Sequence, residues 1–174
     1  MAIHEIQYQT IHFTLNGKPV EKTVDVRASL TDVLRNDFKM YSVKKGCEVG
    51  ECGACNVLIN DEAINSCLYL AVWAEGKHIR TLEGLLGPNG ELHAIQEAFI
   101  EEAAIQCGFC TPGFIMTAVE IIESGKEYTD AELRKLLSGH LCRCTGYENI
   151  LRAVKKAIKR VMYQNLGKEV PAEQ

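Results

Sequence analysis

Eight cysteines, gathered in two closely spaced sets, constrain this chain more than any other feature. Cys47, Cys52 and Cys55 follow the pattern C-x4-C-x2-C with Cys67 beyond them, and Cys107-x2-Cys110 is followed by Cys142-x-Cys144. The N-terminus, MAIHEIQYQT, has neither a basic n-region nor an apolar h-region, so no secretory signal is visible and a reducing cytoplasm is the expected location. Disulfides do not persist there, and cysteines at such spacings ligate metal or carry redox chemistry.

The remaining composition is that of an ordinary globular protein. With 174 residues, 47% hydrophobic and 24% charged, the chain has room for one domain or two small ones, and disordered, collagen-like and coiled-coil readings are excluded. The net charge of −4 is shared evenly between the two halves, so neither is a basic nucleic-acid arm or an acidic tail. The longest apolar run, residues 67–74, is far below the roughly 20 residues a bilayer requires, and residues 113–122 are interrupted by Thr117 and Glu120. Neither nucleic acid nor membrane is an expected partner.

Hydrophobic periodicity divides the chain into an α+β arrangement. Residues 11–15 alternate, Asn16-Gly17 favours a tight hairpin turn, and residues 20–26 run back. Ser29 with Asp32 marks a helix N-cap before residues 30–36. Residues 57–59 and 79–82 are further short strands. GLLGPNGE, residues 84–91, concentrates turn formers and serves as a connector. Beyond it the period becomes helical, and four helices are expected. The first spans 93–105, the second starts with Thr111 as N-cap and Pro112 after it, and capping boxes Thr129/Glu132 and Thr145/Glu148 open the others. Lys155, Lys156, Lys159 and Arg160 read as the solvated end of the last helix, where cations complement the dipole.

The first cysteine set matches the plant-type [2Fe-2S] arrangement of three clustered thiolates and one distant. A cluster on four thiolates is anionic, so the backbone must fold closely round it and turn N–H groups toward sulfur, which Gly46, Gly50 and Gly53 permit. Zinc and unrelated buried thiols are the alternatives, although structural zinc usually takes two short knuckles rather than three cysteines in one glycine-rich loop. In the second set each pair lies just before an expected helix start, so two helix N-termini would direct free N–H groups at one site. By spacing alone, zinc and an iron–sulfur cluster both remain open for it.

Three segments taken together, GCEVGECGACNVLI with NSC, QCGFCTPGFIM and LSGHLCRCTGY, resemble the successive signatures of the iron–sulfur subunit of the xanthine oxidase family of molybdenum hydroxylases. The likeness spans about residues 13–160, and SCLYLAVWAEGKHIRTLEGL is similar to the small subunit of bacterial three-subunit xanthine dehydrogenases. It implies a ferredoxin-like β-grasp domain over residues 1–84 and a four-helix-bundle domain over 92–163, on either side of the connector at 85–91, while residues 164–174, with few apolar side chains, read as a mobile tail. It implies two [2Fe-2S] clusters, one on Cys47, Cys52, Cys55 and Cys67, the other on Cys107, Cys110, Cys142 and Cys144. It also implies a hetero-oligomer with a large subunit carrying a molybdopterin-type molybdenum cofactor and a medium subunit carrying FAD, a dimer of heterotrimers being one arrangement. Electrons from xanthine or a related heterocycle would enter at Cys144, with Gln106 hydrogen-bonded to the pterin, and leave from the N-terminal cluster. Asn56 and His140 depart from the family's usual threonine and asparagine, which bears on subfamily rather than on cluster binding.

Outside the cysteines the sequence offers little chemistry. It contains no phosphate-binding glycine motif and no nucleophile–histidine–acid set, so no bond chemistry is expected of this chain alone. His4, His12, His78 and His93 read as surface or packing residues, Trp73 and Phe99 as core or interface, and Arg143 as a surface ion pair or a contact with a partner or a cofactor phosphate. A free two-cluster carrier and a zinc-stabilised interaction module are the competing functions.

Overall fold

A computed structural model describes residues 7–167. Strands β1 (Tyr8–Leu15) and β2 (Lys18–Asp25) form the expected hairpin, paired Leu15 to Lys18 across Asn16 and Gly17. Both turn residues have positive φ, 49° and 77°, which asparagine and glycine tolerate best. Ile11, Phe13 and Leu15 are buried while His12 faces out, so the period-2 pattern selects the inner face. Helix α1 (Leu30–Asn36) is capped as read, with the Ser29 hydroxyl accepting from the Asp32 N–H at 3.1 Å.

Strands β3 (Asn56–Ile59), β4 (Glu62–Asn65) and β5 (His78–Arg80) complete a mixed sheet of order β2-β1-β5-β3-β4, with only β1 and β5 parallel among the described pairs. β4 escaped the sequence reading because its half-buried residues Ala63, Ile64 and Asn65 give no alternation. β5 stops at Arg80, and Leu82 begins a 3-10 turn instead of extending the strand. The sheet and α1 enclose one buried cluster, including Ile11, Leu30, Leu34, Val57 and Ile79.

The second buried cluster joins α2 (Ala94–Glu101), α3 (Thr111–Glu123), α4 (Asp130–Leu136) and α5 (Glu148–Asn165), with Phe99, Phe114, Leu133, Ile150 and Val154 inside. Leu58 of β3 belongs to this cluster, so α3 packs directly on the sheet. Arg80 reinforces that contact by donating to Glu123 of α3 and to Asp61 beside β3. Mixed sheet plus helices makes the chain α+β.

Four sequence expectations need correction. α2 ends at Glu101 instead of running to 105, because Ala103 takes φ 49° and leaves the helix. The N-cap of α3 is Cys110, and Thr111 is already helical. α5 is preceded by Tyr147 at φ 70°, so Thr145 and Glu148 form no capping box there. The basic residues of α5 do not close the helix, which runs on to Asn165: Arg160 pairs with Glu97 and Glu101, Lys156 with Glu101 and Glu102, and Lys155 with Asp130, while Lys159 is exposed. The expected tail therefore begins as helix at 164–165, and 168–174 together with His4 lie outside the described residues.

Candidate metal centres

The first thiol set is built on the loop that enters β3. Cys55 is buried just ahead of the strand, and the Ser66 hydroxyl donates to its carbonyl at 2.7 Å while bonding Thr31 of α1 at 2.6 Å. One buried serine thus ties Cys55, neighbouring Cys67 and the helix together. Asn65 donates its side-chain amide to the Gly50 carbonyl at 2.9 Å, fixing the loop's far end.

Positive φ at Glu48, Gly50 and Gly53 curls this loop, and the N–H groups of Val49 and Glu51 point at the Cys47 sulfur, 3.5 and 3.3 Å away. These donors, Val49 first, pull the Cys47 thiol down to about 7 against the opposing effect of burial. Burial pushes the Cys55 thiol up to about 11. The glycines act as expected at 50 and 53, whereas Gly46 serves close approach: a Cβ there would lie 2.9 Å from the Cys52 sulfur.

The second set sits between the start of α3 and the turn ahead of α5. Cys107 and Cys144 are exposed with their sulfurs 3.6 Å apart, and Cys110 is buried against Cys142. Thr145 donates to the Cys142 sulfur from both its N–H, at 3.4 Å, and its hydroxyl, at 3.1 Å. The Tyr147 hydroxyl accepts from the Cys142 N–H at 2.9 Å. Burial raises Cys142, but the Thr145 donors, with the Cys144 N–H and the Cys110 thiol, together outweigh it and leave the thiol below its ordinary value. Burial drives Cys110 up to about 12, and contact with Cys107 raises Cys144. Sequence reasoning missed the roles of Thr145 and Tyr147, since a Thr-x2-Glu pattern looks like a cap until the turn geometry is known.

At each site the thiols meet as two pairs: Cys47 with Cys52 and Cys55 with Cys67, Cys107 with Cys144 and Cys110 with Cys142. A separation of 3.6 Å is far beyond an S–S bond of about 2.05 Å, and all eight cysteines are free. Among the described residues no three His, Cys, Asp or Glu side chains are grouped to hold a single ion. Two thiol pairs suit a two-iron unit, one pair per iron, better than a zinc ion that draws four donors to one centre.

Comparison with known proteins agrees with that chemistry. Residues 13–81 match the 2Fe-2S iron-sulfur cluster binding domain, and residues 81–155 match the [2Fe-2S] binding domain. The chain is 49% identical to the xanthine dehydrogenase iron-sulfur-binding subunit of Escherichia coli O157:H7, over 83% of this chain and 91% of that one. The chain belongs to the iron–sulfur subunits of the molybdenum hydroxylases. This iron–sulfur subunit is also 46% identical to the nicotine 6-hydroxylase small subunit of Paenarthrobacter nicotinovorans, over 89% of its own length and 93% of the relative's. Among solved structures it matches quinoline 2-oxidoreductase from Pseudomonas putida 86 with TM-score 0.85 and 41% identity, covering 94% of this chain and 99% of that one. It matches aldehyde oxidoreductase from Desulfovibrio gigas with TM-score 0.84 and 33% identity, covering 94% of this chain and 19% of that longer one.

Other singled-out residues divide clearly. Gln106 and Arg143 are exposed and make no side-chain hydrogen bond or ion pair among the described residues, so Arg143 is not the surface ion pair the sequence suggested. Phe99 is fully buried, and Trp73 is half-exposed against Tyr69. His140 is buried, stacked on Phe114, and burial pushes its imidazole down to about 4, which holds it neutral at neutral pH. No described helix is long and apolar enough to cross a membrane.

Proposed function

We propose that this iron–sulfur subunit is the electron-transfer member of a cytoplasmic molybdenum hydroxylase, with one [2Fe-2S] cluster on Cys47, Cys52, Cys55 and Cys67 and a second on Cys107, Cys110, Cys142 and Cys144. Two sets of free thiols, each with N–H or hydroxyl donors directed at a cysteine sulfur, are the observation that carries this reading. When bound, such clusters supply one-electron storage at potentials set by charge, hydrogen bonds to sulfur and exposure. The chain's own groups set those terms: Val49 and Glu51 N–H groups at Cys47, the Thr145 hydroxyl at Cys142, and burial of Cys55 and Cys110. This reading divides the chain into a β-grasp domain at 1–84, a connector at 85–91 and a four-helix bundle at 92–163, in keeping with two separate buried clusters of side chains.

The chain links a large partner, where substrate is oxidised at a molybdenum–pterin cofactor, to a medium partner carrying FAD. Exposed Gln106, Cys107 and Cys144 form the entry rim, with Gln106 and Cys144 against the pterin; exposed Val49 and Leu68 flank the other site at the exit. The relatives' names span xanthine, nicotine and caffeine, which share a nitrogen heterocycle, and xanthine is the first substrate to test. Purification through a tag on this chain from its native host should yield two further subunits with molybdenum and flavin, and mass spectrometry of the intact complex gives the stoichiometry. Activity on a purine panel should require all three. The iron-loaded chain emerging alone from native extracts would instead identify a free carrier.

A further inference from the structure

Three side chains from three different segments meet at one hydroxyl between the two sites. The Asn56 side-chain amide donates to Thr117 Oγ1 at 3.0 Å, and the same oxygen is 2.8 Å from His140 Nε2. Asn56 follows Cys55, His140 stands two residues ahead of Cys142, and Thr117 lies on α3, whose N-cap is Cys110. A hydroxyl has one proton to give. Thr117 accepts from Asn56, and the same hydroxyl is hydrogen-bonded to His140 Nε2. One hydroxyl thus joins the three side chains, while buried Asn56 Oδ1 and His140 Nδ1 have no hydrogen-bond partner among the described residues.

The surroundings leave this chain little freedom. His140 is 3% exposed, its ring stacked on Phe114 at 4.4 Å, and Nδ1 is so close to Gly53 that a Cβ there would lie 2.2 Å away. A shift of the imidazole would therefore press on the loop that carries Cys52 and Cys55.

We propose that Asn56, Thr117 and His140 are positioning residues, a hydrogen-bond relay that holds the two thiol sites at a fixed separation and so sets the rate at which electrons cross between them. The proposal rests on the electron-transfer reading above. None of the three side chains touches a cysteine sulfur through its hydrogen bonds, so their effect is on geometry.

The test uses the full chain loaded with iron. Two distinct reduced-cluster signals in the parent chain establish the electron-transfer reading independently of the relay. Thr117→Val keeps the shape and removes the hydroxyl; it should retain iron and both signals, slow electron equilibration between clusters about tenfold, and weaken the spin–spin interaction of the fully reduced protein. His140→Phe should do the same, and the double variant should be no worse than either single one, because both break the same link. Thr117→Ser should behave as the parent. Ile121→Val, a purely apolar change on the same helix, should lower stability without altering the spin–spin interaction. Hydrogen exchange of a peptide spanning residues 139–143 gives a readout that needs no cluster, and it should quicken in Thr117→Val. Unchanged exchange there, unchanged equilibration in Thr117→Val, or additive losses in the double variant would each overturn the relay.

Discussion

The Leu141 N–H donates to the Cys52 carbonyl at 3.1 Å, so the residue just before Cys142 is hydrogen-bonded to a cysteine of the other set. Close backbone approach makes this possible: a Cβ on Gly113 of α3 would lie 2.1 Å from the Gly53 carbonyl oxygen. A junction of backbone on backbone therefore stands beside the Asn56, Thr117 and His140 side chains between the two thiol sites. Gly113→Ala should force the loop off α3 and destabilise the chain by about 1–3 kcal/mol, the usual cost of overpacking. Guanidinium unfolding of the iron-loaded chain measures it, and parental stability would show the approach to be looser.

Cys55→Ala should remove one cluster and leave the other. The thiols of the two sets pair only within their own set, and the second set is anchored on α3 and the turn before α5. Half the parental iron should remain, with a single paramagnetic signal on reduction. Equal loss of both signals from a folded variant would contradict the division of ligands.

The Thr145 hydroxyl reaches the Cys142 sulfur at 3.1 Å. A hydrogen bond to a ligating sulfur favours the more negative, reduced cluster, so Thr145→Val should lower the midpoint potential of the C-terminal cluster alone. Spectroelectrochemical titration resolves the two centres, and an equal shift in both would point to a general loosening instead.

Glu83 fastens the 3-10 turn after β5 to the loop that follows α1, accepting from Ser42 N–H at 2.9 Å and from the hydroxyls of Ser42 and Thr81, both at 2.6 Å. Burial raises its carboxyl, but these donors outweigh it and hold it below the ordinary 4.5. A carboxylate depressed in the folded state contributes stability that is complete above its unfolded value and fades as pH falls through the folded one. Glu83→Gln should therefore be less stable than the parent at neutral pH, and the gap should close below pH 4.5. A gap that stays constant down to pH 3 would remove Glu83 from the acid response.

Much of this fold was legible because local rules and burial agree. Ser29 caps α1, Asn16-Gly17 turns the hairpin, and Thr129 with Glu132 forms its capping box, each a contact within four residues. The cysteine sets were legible through spacing and glycine, although spacing alone left zinc open for the second. What could not be read depends on distant partners. Thr145 looks like a cap, and only the left-handed turn at Tyr147 redirects its hydroxyl to sulfur. Thr117 looks like an interruption in an apolar helix, and its meaning comes from Asn56 and His140, which the sequence sets apart by dozens of positions. The basic run on α5 looked like a helix end, and its partners are Glu97, Glu101 and Glu102 on and just after α2 and Asp130 on α4.

Gln106 is exposed beside Cys107, whose sulfur touches that of exposed Cys144. A glutamine held at such a rim without a partner among the described residues keeps both a donor and an acceptor free, which suits a heterocycle presenting both edges. In the assembled complex, Gln106→Ala should leave iron content and stability as in the parent, because nothing within the chain depends on the amide. It should slow reduction of the clusters by substrate about tenfold or weaken retention of the pterin cofactor, the scale on which loss of an outer-shell partner acts. Rapid-mixing reduction kinetics and molybdenum analysis decide the matter. Full molybdenum occupancy with parental kinetics would refute the role of Gln106 and leave Cys144 as the entry point on its own.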